Sequence, residues 1–149
     1  MNIPEVNLAD YVFENASKYS NNPALVCGMS GRQYTYEMSK QLSIKFGSAM
    51  RRLGAQKGDV VAFILPNIPE FAIGFLGCAG AGLTVTTMSP SFKEEEIIRQ
   101  LENSEAQYIL TIGKKILLVN ISIRVTQLIR KIRCQSFNRI CNPERRNSV

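Results

Sequence analysis

The sequence predicts an α/β fold, a β-α-β-α-β part of a doubly wound sheet. Three unbroken apolar runs, at residues 60–65, 83–88 and 107–111, begin near residues 60, 83 and 106, about 23 residues apart. Such runs are typical of strands that are buried on both faces of a parallel sheet. Two helix-length segments separate them, which predicts right-handed crossovers between neighbouring strands.

Length and composition are consistent with one soluble globular domain. The chain has 149 residues, of which 45% are hydrophobic and 20% are charged, close to the globular average. It contains no histidine. This excludes Ser/His/Asp and Cys/His nucleophile pairs and histidine-ligated zinc sites.

An N-terminal helix is predicted after Asn7, a good N-cap that is followed three residues later by Asp10. The Asn-Asn-Pro run at residues 21–23 should end it. Its expected buried stripe has helical spacing and consists of Leu8, Val12 and Ala16.

A hairpin and a long helix are predicted next. The hairpin strands are residues 24–27 and 33–36, and the turn between them contains Gly28 and Gly31, which tolerate positive φ. Thr35 is a plausible N-cap for the helix, and Gly54 stands at the expected C′ position. The apolar stripe of this helix is predicted to comprise Met38, Leu42, Phe46, Ala49, Met50 and Leu53.

The two crossover helices carry their own start signals. For residues 68–80, Asn67 and Glu70 are spaced as a capping box and Pro69 suits the first turn. For residues 93–103, the start signal is three consecutive glutamates, 94–96, whose negative charges interact favourably with the positive end of the helix dipole. In the first crossover helix, glycines at 74, 77 and 80 are expected to share one face and let the helix approach the sheet closely.

Three motifs that resemble functional sites are better explained structurally. Gly80-Ala-Gly82 follows a helix and opens a strand, whereas a phosphate-binding glycine loop needs the opposite order. Gly113-Lys-Lys lacks the leading glycine of a P-loop, because Tyr108 occupies that position. Glutamates 94–96 could be imagined as metal ligands, but consecutive helical residues point in different directions, so a solvated helix start is favoured.

Charge divides the chain into two regions, 1–112 and 113–149. The first has 9 basic and 11 acidic residues, a net charge of 9 − 11 = −2, and the second has 9 basic residues and one acidic residue, a net charge of 9 − 1 = +8. Apolar residues between 118 and 132 fit both a helical and a strand period, which leaves the tail's structure open. Residues 134–149 contain few apolar groups and are predicted to be disordered. The basic tail could bind an anionic membrane or a partner, whereas nucleic acid is disfavoured because Phe137 is its one aromatic residue.

Four cysteines, at positions 27, 78, 134 and 141, match no redox or zinc motif. We expect free thiols. The first ten residues contain no basic segment followed by an apolar run, so no secretory signal is expected and a cytoplasmic location is predicted.

Several phrases resemble a known family over about 105 residues. They closely resemble the N-terminal part of adenylate-forming (AMP-binding) enzymes, nearest to 4-coumarate:CoA ligase and luciferase-like acyl-CoA synthetases. The phrases are Gly31-Arg-Gln-Tyr-Thr-Tyr-Glu-Met38, Leu53-Gly-Ala-Gln-Lys-Gly-Asp-Val-Val-Ala62, Leu65-Pro-Asn-Ile-Pro-Glu-Phe71, Ala79-Gly-Ala-Gly-Leu-Thr-Val85 with Ser89-Pro90, and Gln100-Leu-Glu-Asn-Ser104.

The resemblance implies a two-step carboxylate ligase, which uses ATP and Mg²⁺ to form an acyl-adenylate and then transfers the acyl group to coenzyme A. The family's phosphate loop, of the type S-G-T-T-G-x-P-K-G, does not occur here, and the resemblance stops near Thr111. We therefore assign no catalytic, cofactor-binding or metal-binding residue, and expect a truncated chain that binds no cofactor and is inactive alone.

The remaining expectations follow from that truncation. Such a piece should leave an unpaired sheet edge and uncovered helix faces, which invite aggregation or chaperone binding. Related enzymes often carry a C-terminal peroxisomal signal, and this chain instead ends in Asn-Ser-Val. A non-catalytic interaction module that uses the basic tail is the alternative function.

Overall fold

The computed structural model describes residues 4–111 and 133–136. A two-stranded antiparallel sheet, β1-β2, precedes a four-stranded parallel sheet of order β4-β3-β5-β6. The predicted α/β class is confirmed. The elements are α1 (Leu8–Val12), a 3₁₀ helix (Ala16–Tyr19), β1 (Pro23–Val26), β2 (Gln33–Thr35), α2 (Tyr36–Arg52), β3 (Val60–Ile64), α3 (Pro69–Gly80), β4 (Thr84–Met88), α4 (Glu94–Asn103), β5 (Tyr108–Thr111) and β6 (Arg133–Ser136).

Strand β3 lies between β4 and β5 and is the centre of the core. Alternate residues of the sheet enter two different apolar clusters. Phe63 and Leu110 pack on the side covered by α2 and α3, and Ile64 and Ile109 pack on the side covered by α4. Helices therefore cover both faces, as predicted for a doubly wound sheet.

The N-terminal helix is shorter than predicted and faces differently. Its N-cap is confirmed, because the Asp10 N–H donates to Asn7 Oδ1 at 2.9 Å. The helix ends at Val12, and a 3₁₀ helix follows at Ala16. The predicted stripe is wrong for Leu8 and Val12, which are 47% and 49% exposed. The buried residues are Ala9, Phe13 and Ala16.

The hairpin is confirmed. β1 and β2 pair antiparallel, and Gly31 adopts φ +70° in the turn between them. The Cys27 N–H donates to the Arg32 carbonyl and the Gly31 N–H to the Cys27 carbonyl, both at 2.8 Å. The glycine is needed here because other residues rarely adopt this conformation.

Helix α2 has the predicted ends but a shifted buried face. The Met38 N–H donates to Thr35 Oγ1 at 3.2 Å, and Gly54 has φ +96° after the helix. Phe46 is buried as predicted, but Met38 is 47% exposed, so that part of the stripe is wrong. The buried face instead includes Ser39, Ser43 and Gly47, and α3 lies so close that a Cβ at Gly47 would be 2.6 Å from the Gly77 carbonyl oxygen.

The α3 glycines contact three different neighbours. A Cβ at Gly74 would lie 3.2 Å from the Leu110 side chain in the sheet. A Cβ at Gly77 would lie 2.6 Å from the Ser43 carbonyl oxygen on α2, and one at Gly80 would meet Ala9 at 3.4 Å. Three residues turn a helix by about 300°, so each step drifts about 60° around the axis. The prediction of one sheet-facing stripe holds only for Gly74.

Strand β6 corrects the prediction of disorder for residues 134–136. It pairs parallel with β5, with Tyr108 opposite Arg133 and Thr111 opposite Ser136. β5 therefore has a neighbouring strand on both sides. The helix and strand alternatives for residues 118–132, the Gly113-Lys-Lys motif and the remainder of the tail lie outside the described residues.

Candidate functional site

In open α/β sheets, ligands bind beyond the carboxyl ends of the strands, at the point where the strand order reverses. In this sheet the chain passes from β3 to β4 on one side, and β6 follows β5 on the other. The reversal therefore lies between β3 and β5. The described residues at this edge are Leu65–Ile68, after β3, and Thr111, the last residue of β5.

The two strands are tied together at this edge. Ile64 and Thr111 are register partners, and the buried Thr111 Oγ1 donates to the Ile64 carbonyl oxygen at 3.1 Å. This bond satisfies a hydroxyl that would otherwise be costly to bury. The Thr111 side chain is thus occupied by a structural bond.

The loop after β3 leads directly into α3. The Ile68 N–H donates to the Pro66 carbonyl and the Phe71 N–H donates to the Ile68 carbonyl, both at 2.9 Å. The N-cap of α3 is Ile68, and no side chain caps the helix. The predicted Asn67–Glu70 capping box is therefore wrong. Asn67 is exposed, and the Glu70 side chain instead contacts the hairpin.

Glu70 is a buried carboxylate, 4% exposed, in the first turn of α3. Its Oε1 accepts from the Tyr34 hydroxyl at 3.1 Å and forms an ion pair with Arg32 Nη2 at 2.7 Å. Its Oε2 is buried and has no hydrogen-bond partner among the described residues. Arg32 is the cation that pairs with this carboxylate, which lies at the N-terminal end of α3. Glu70 therefore fastens β2 to the start of α3, next to the candidate edge.

We predict that Arg32→Ala lowers the free energy of unfolding by about 1–3 kcal/mol, because it leaves a buried carboxylate without its cation. The expected loss of stability is smaller than for breaking a fully buried ion pair, because the Arg32 side chain is 52% exposed. Glu70→Met added to Arg32→Ala should recover most of the loss, because methionine fills similar volume without charge. Urea denaturation followed by far-UV circular dichroism measures both, and no recovery in the double variant would contradict the prediction.

Of two cavities among the described residues, one reaches the candidate edge. The larger, about 420 Å³, is a groove between α1, α2 and α3. Its lining includes Gly47, Gly77 and Gly80. Arg51 also lines the groove and donates to the Ala81 carbonyl at 2.7 Å. The smaller, about 230 Å³, is mainly apolar and lies between β1 and the start of α3. Of the two, the smaller cavity is the one lined by candidate-edge residues, Asn67 and Ile68.

Gly80-Ala-Gly82 and glutamates 94–96, which the sequence indicates are structural, lie at positions that agree with that interpretation. Gly80 ends α3, and Gly82, with φ +70°, turns the chain into β4, so the helix precedes the glycines. Glutamates 94–96 are exposed at the start of α4, where the Lys93 N–H donates to Glu96 Oε2 at 2.8 Å. In residues 4–111 and 133–136, no three His, Cys, Asp or Glu side chains are grouped closely enough to hold a metal ion. Helices within the same residues are too short or too polar to cross a membrane.

The two described cysteines are free thiols, as predicted, and differ in acidity. Hydrogen bonds with Ser30 hold the pKa of the Cys27 thiol below its usual value. Burial raises the pKa of Cys78, which lies in α3, from 9.0 to about 12.

This shift predicts a loss of stability at high pH. The thiol is protonated in both states below pH 9, so its contribution is fully present there. Above that pH the unfolded chain releases the proton first, and the contribution is lost as the pH rises towards 12. By pH of about 10.5 the wild type should lose about 2 kcal/mol more than Cys78→Ala. Urea denaturation of both proteins at several pH values tests this, and parallel pH curves would contradict it.

The model of the family described as "AMP-binding enzyme" matches residues 12–142 of this chain. The matched range continues beyond Thr111 through most of the basic region.

Curated relatives include 4-coumarate–CoA ligase 1 of Petroselinum crispum, which is 39% identical over 104 residues and covers 70% of this chain. The 4-coumarate–CoA ligase of Vanilla planifolia is 39% identical over 106 residues and covers 71%. In both cases the aligned part is 19% of the relative. The chain thus spans about a fifth of the length of these relatives.

Solved structures show the same fold within larger chains. A benzoate CoA ligase from Burkholderia xenovorans LB400 matches 91% of this chain and 28% of its own, with a TM-score of 0.82 and 17% identity. The luciferase-like enzyme from the mealworm Zophobas morio matches 95% of this chain and 36% of its own, with a TM-score of 0.82 and 19% identity.

Proposed function

Because this chain belongs to the AMP-binding enzyme family, we propose that it forms a structural part of an ATP-dependent carboxylate–CoA ligase and is inactive by itself. In this proposal the described residues position strands and helices, and the groups that handle ATP and coenzyme A are not among them. The parent reaction is the formation of an acyl-adenylate followed by acyl transfer to the thiol of coenzyme A.

One observation carries the proposal: beside the candidate edge, the Thr111 hydroxyl and one oxygen of the Glu70 carboxylate already form structural bonds, and the other carboxylate oxygen is buried. Thr111 binds the β3 carbonyl, and Glu70 binds Arg32 and Tyr34. A magnesium–triphosphate group needs free carboxylates, a lysine and a cradle of backbone N–H groups. Leu65–Ile68 contains no acid or lysine. The described residues at this edge therefore do not fit a nucleotide triphosphate with its metal.

Acid-dependent ATP–pyrophosphate exchange tests the proposal. We expect no exchange by the purified 149-residue chain with 4-coumarate or benzoate, the acids named by its relatives. Parsley 4-coumarate–CoA ligase 1 serves as the positive control, and circular dichroism shows whether the tested chain is folded. Exchange that depends on the acid and disappears when the chain is heat-denatured would refute inactivity.

The charge of residues 113–149 supports a second candidate, a non-catalytic module that binds anionic membranes. The net charge of +8 in this region would attract an anionic lipid surface, and the attraction should weaken with salt. Sedimentation with phosphatidylserine and phosphatidylcholine vesicles separates the candidates. Equal sedimentation with both vesicle types, or with the Arg130→Gln/Lys131→Gln/Arg133→Gln variant, would exclude this module.

A further inference from the structure

Strand β4 is an edge strand that nothing in the described part of the chain covers on its outer side. It is the first strand in the order β4-β3-β5-β6 and pairs only with β3 among the described residues. All of β5 and all of β3 except Val60 are buried. In β4, by contrast, Thr84 and Thr87 are exposed and Val85 and Thr86 are half-buried.

The backbone groups that face outward can be identified. The Thr84 N–H donates to the Asp59 carbonyl at 2.9 Å, so the polar groups of Thr84 face β3. Successive residues of a strand direct these groups to opposite sides. The N–H and C=O groups of Val85 and Thr87 therefore face the open edge, where they can accept another strand.

This edge lacks the features that usually prevent strand pairing. Its sequence, Thr-Val-Thr-Thr-Met, contains no charge, proline or glycine. Its register with β3 is continuous from Val60–Thr84 to Ile64–Met88, without a bulge. Charged residues, prolines and bulges are the common protections of natural edge strands.

We propose that β4 pairs antiparallel with β4 of a second copy of this chain, about a two-fold axis at Thr86. The proposal goes beyond the proposed function and does not depend on it. Val85 then lies opposite Thr87 of the second copy, and each of the two symmetric pairs exchanges two hydrogen bonds. Thr86 lies opposite Thr86 of the second copy in a non-hydrogen-bonded pair.

Three properties favour a second copy as the occupant. Val85 and Thr87 flank Thr86 symmetrically. A two-fold axis at Thr86 therefore brings the outward-facing backbone groups of each copy opposite those of the other. The strand carries no charge, and the axis therefore brings no like charges together along it. Threonine pairs across antiparallel strands are favourable, and the Thr86 hydroxyl, which accepts from Gln100 Nε2 at 3.0 Å, can still donate across the axis. Because the same surface is used by both copies, the contact closes at a dimer.

Cysteine cross-linking tests the register. In a non-hydrogen-bonded pair the Cβ atoms are about 4.5–5.5 Å apart, near enough for a disulfide after small adjustments. Thr86→Cys should give covalent dimers linked through residue 86 under mild oxidation, identified by peptide mass mapping. Thr84→Cys is the matched control, because Thr84 lies opposite Met88 and the two copies of residue 84 are about 13 Å apart. Equal linkage of both variants would overturn the proposal.

Sedimentation velocity tests the association itself. An interface of one strand is small, so we expect a reversible dimer with a dissociation constant of about 10–100 µM. Thr87→Pro removes an outward N–H that faces away from β3, its only partner strand among the described residues, and should be monomeric, whereas Thr87→Val keeps the N–H and should still dimerise. A folded wild type that stays monomeric throughout this range overturns the proposal, as does a dimer that survives in folded Thr87→Pro. If Thr87→Pro does not fold, the cysteine comparison decides.

Discussion

Gly77→Ala is expected to lower the free energy of unfolding by about 2–4 kcal/mol, although alanine is the better helix former. Intrinsic propensity favours the change by about 1 kcal/mol. The added Cβ, however, would lie 2.6 Å from the Ser43 carbonyl oxygen and 3.0 Å from Phe46 Cβ. Backbone atoms cannot rotate away, so α2 and α3 must separate and lose packing along their length. Urea denaturation followed by far-UV circular dichroism suits this tryptophan-free chain and would measure the loss.

Gly80→Ala is the matched control for that experiment. Gly80 belongs to the same helix, and its added Cβ would make an ordinary contact with Ala9 at 3.4 Å. We expect this variant to be as stable as the wild type or up to about 1 kcal/mol more stable. If both variants changed stability equally, helix propensity and not the α2–α3 contact would explain the result. Gly47→Ala should behave like Gly77→Ala, because its Cβ would lie 2.6 Å from the Gly77 carbonyl oxygen.

Features that depend on neighbours in sequence could be predicted from the sequence. The side chains of Asn7 and Thr35 cap helices by accepting from the backbone N–H three positions ahead. Gly31 and Gly54 adopt positive φ in turns that are formed by the adjacent residues. The unbroken apolar run of β3 predicts, without reference to any distant residue, a strand that is buried on both faces. In each case the interactions that decide the structure lie within a few residues.

Features that depend on distant contacts could not be predicted in this way. Ser43 is buried on α2 because a glycine of α3, Gly77, lies against it, which no local pattern of α2 indicates. Glu70 has the spacing of a capping residue, yet a hydrogen bond to Tyr34 and an ion pair to Arg32 outweigh the local cap. Strand β6 lies in a segment with few apolar groups, which predicts disorder, and the extended form comes from pairing with the distant strand β5.

For the same reason, the location of the candidate edge could not be predicted from the sequence. Periodicity predicts three parallel strands but not their order, and the reversal exists only because β5 pairs with β3 on the side opposite β4. The Glu70 cluster also shows why two of the family-like phrases occur together. One phrase supplies Arg32 and Tyr34 and the other supplies Glu70, and the two are joined in space. This gives both phrases a structural role that requires no contact with a substrate.

Phe63→Ala should be the most destabilising truncation in the sheet, lowering the free energy of unfolding by about 3–5 kcal/mol. Phe63 lies in the central strand and is fully buried, and its ring meets Phe71 edge-on, with centroids 5.6 Å apart. The ring also lies against Gly74, where a Cβ would be 3.3 Å away, and this glycine has no side chain that could move into the space left by the ring. The cavity would therefore persist and add to the lost transfer free energy.

Two matched variants make the Phe63 measurement decisive in urea denaturation. Phe63→Leu retains most of the volume and should cost about 1.5 kcal/mol or less, because cores tolerate swaps that conserve volume. Val26→Ala removes an apolar group that is 55% exposed at the end of β1 and should change stability by about 0.5 kcal/mol or less. If Phe63→Ala cost no more than Val26→Ala, the packing of α3 on β3 would not be the main source of stability. The interpretation of these residues as the rigid part of an acyl-CoA ligase would then lose its physical basis.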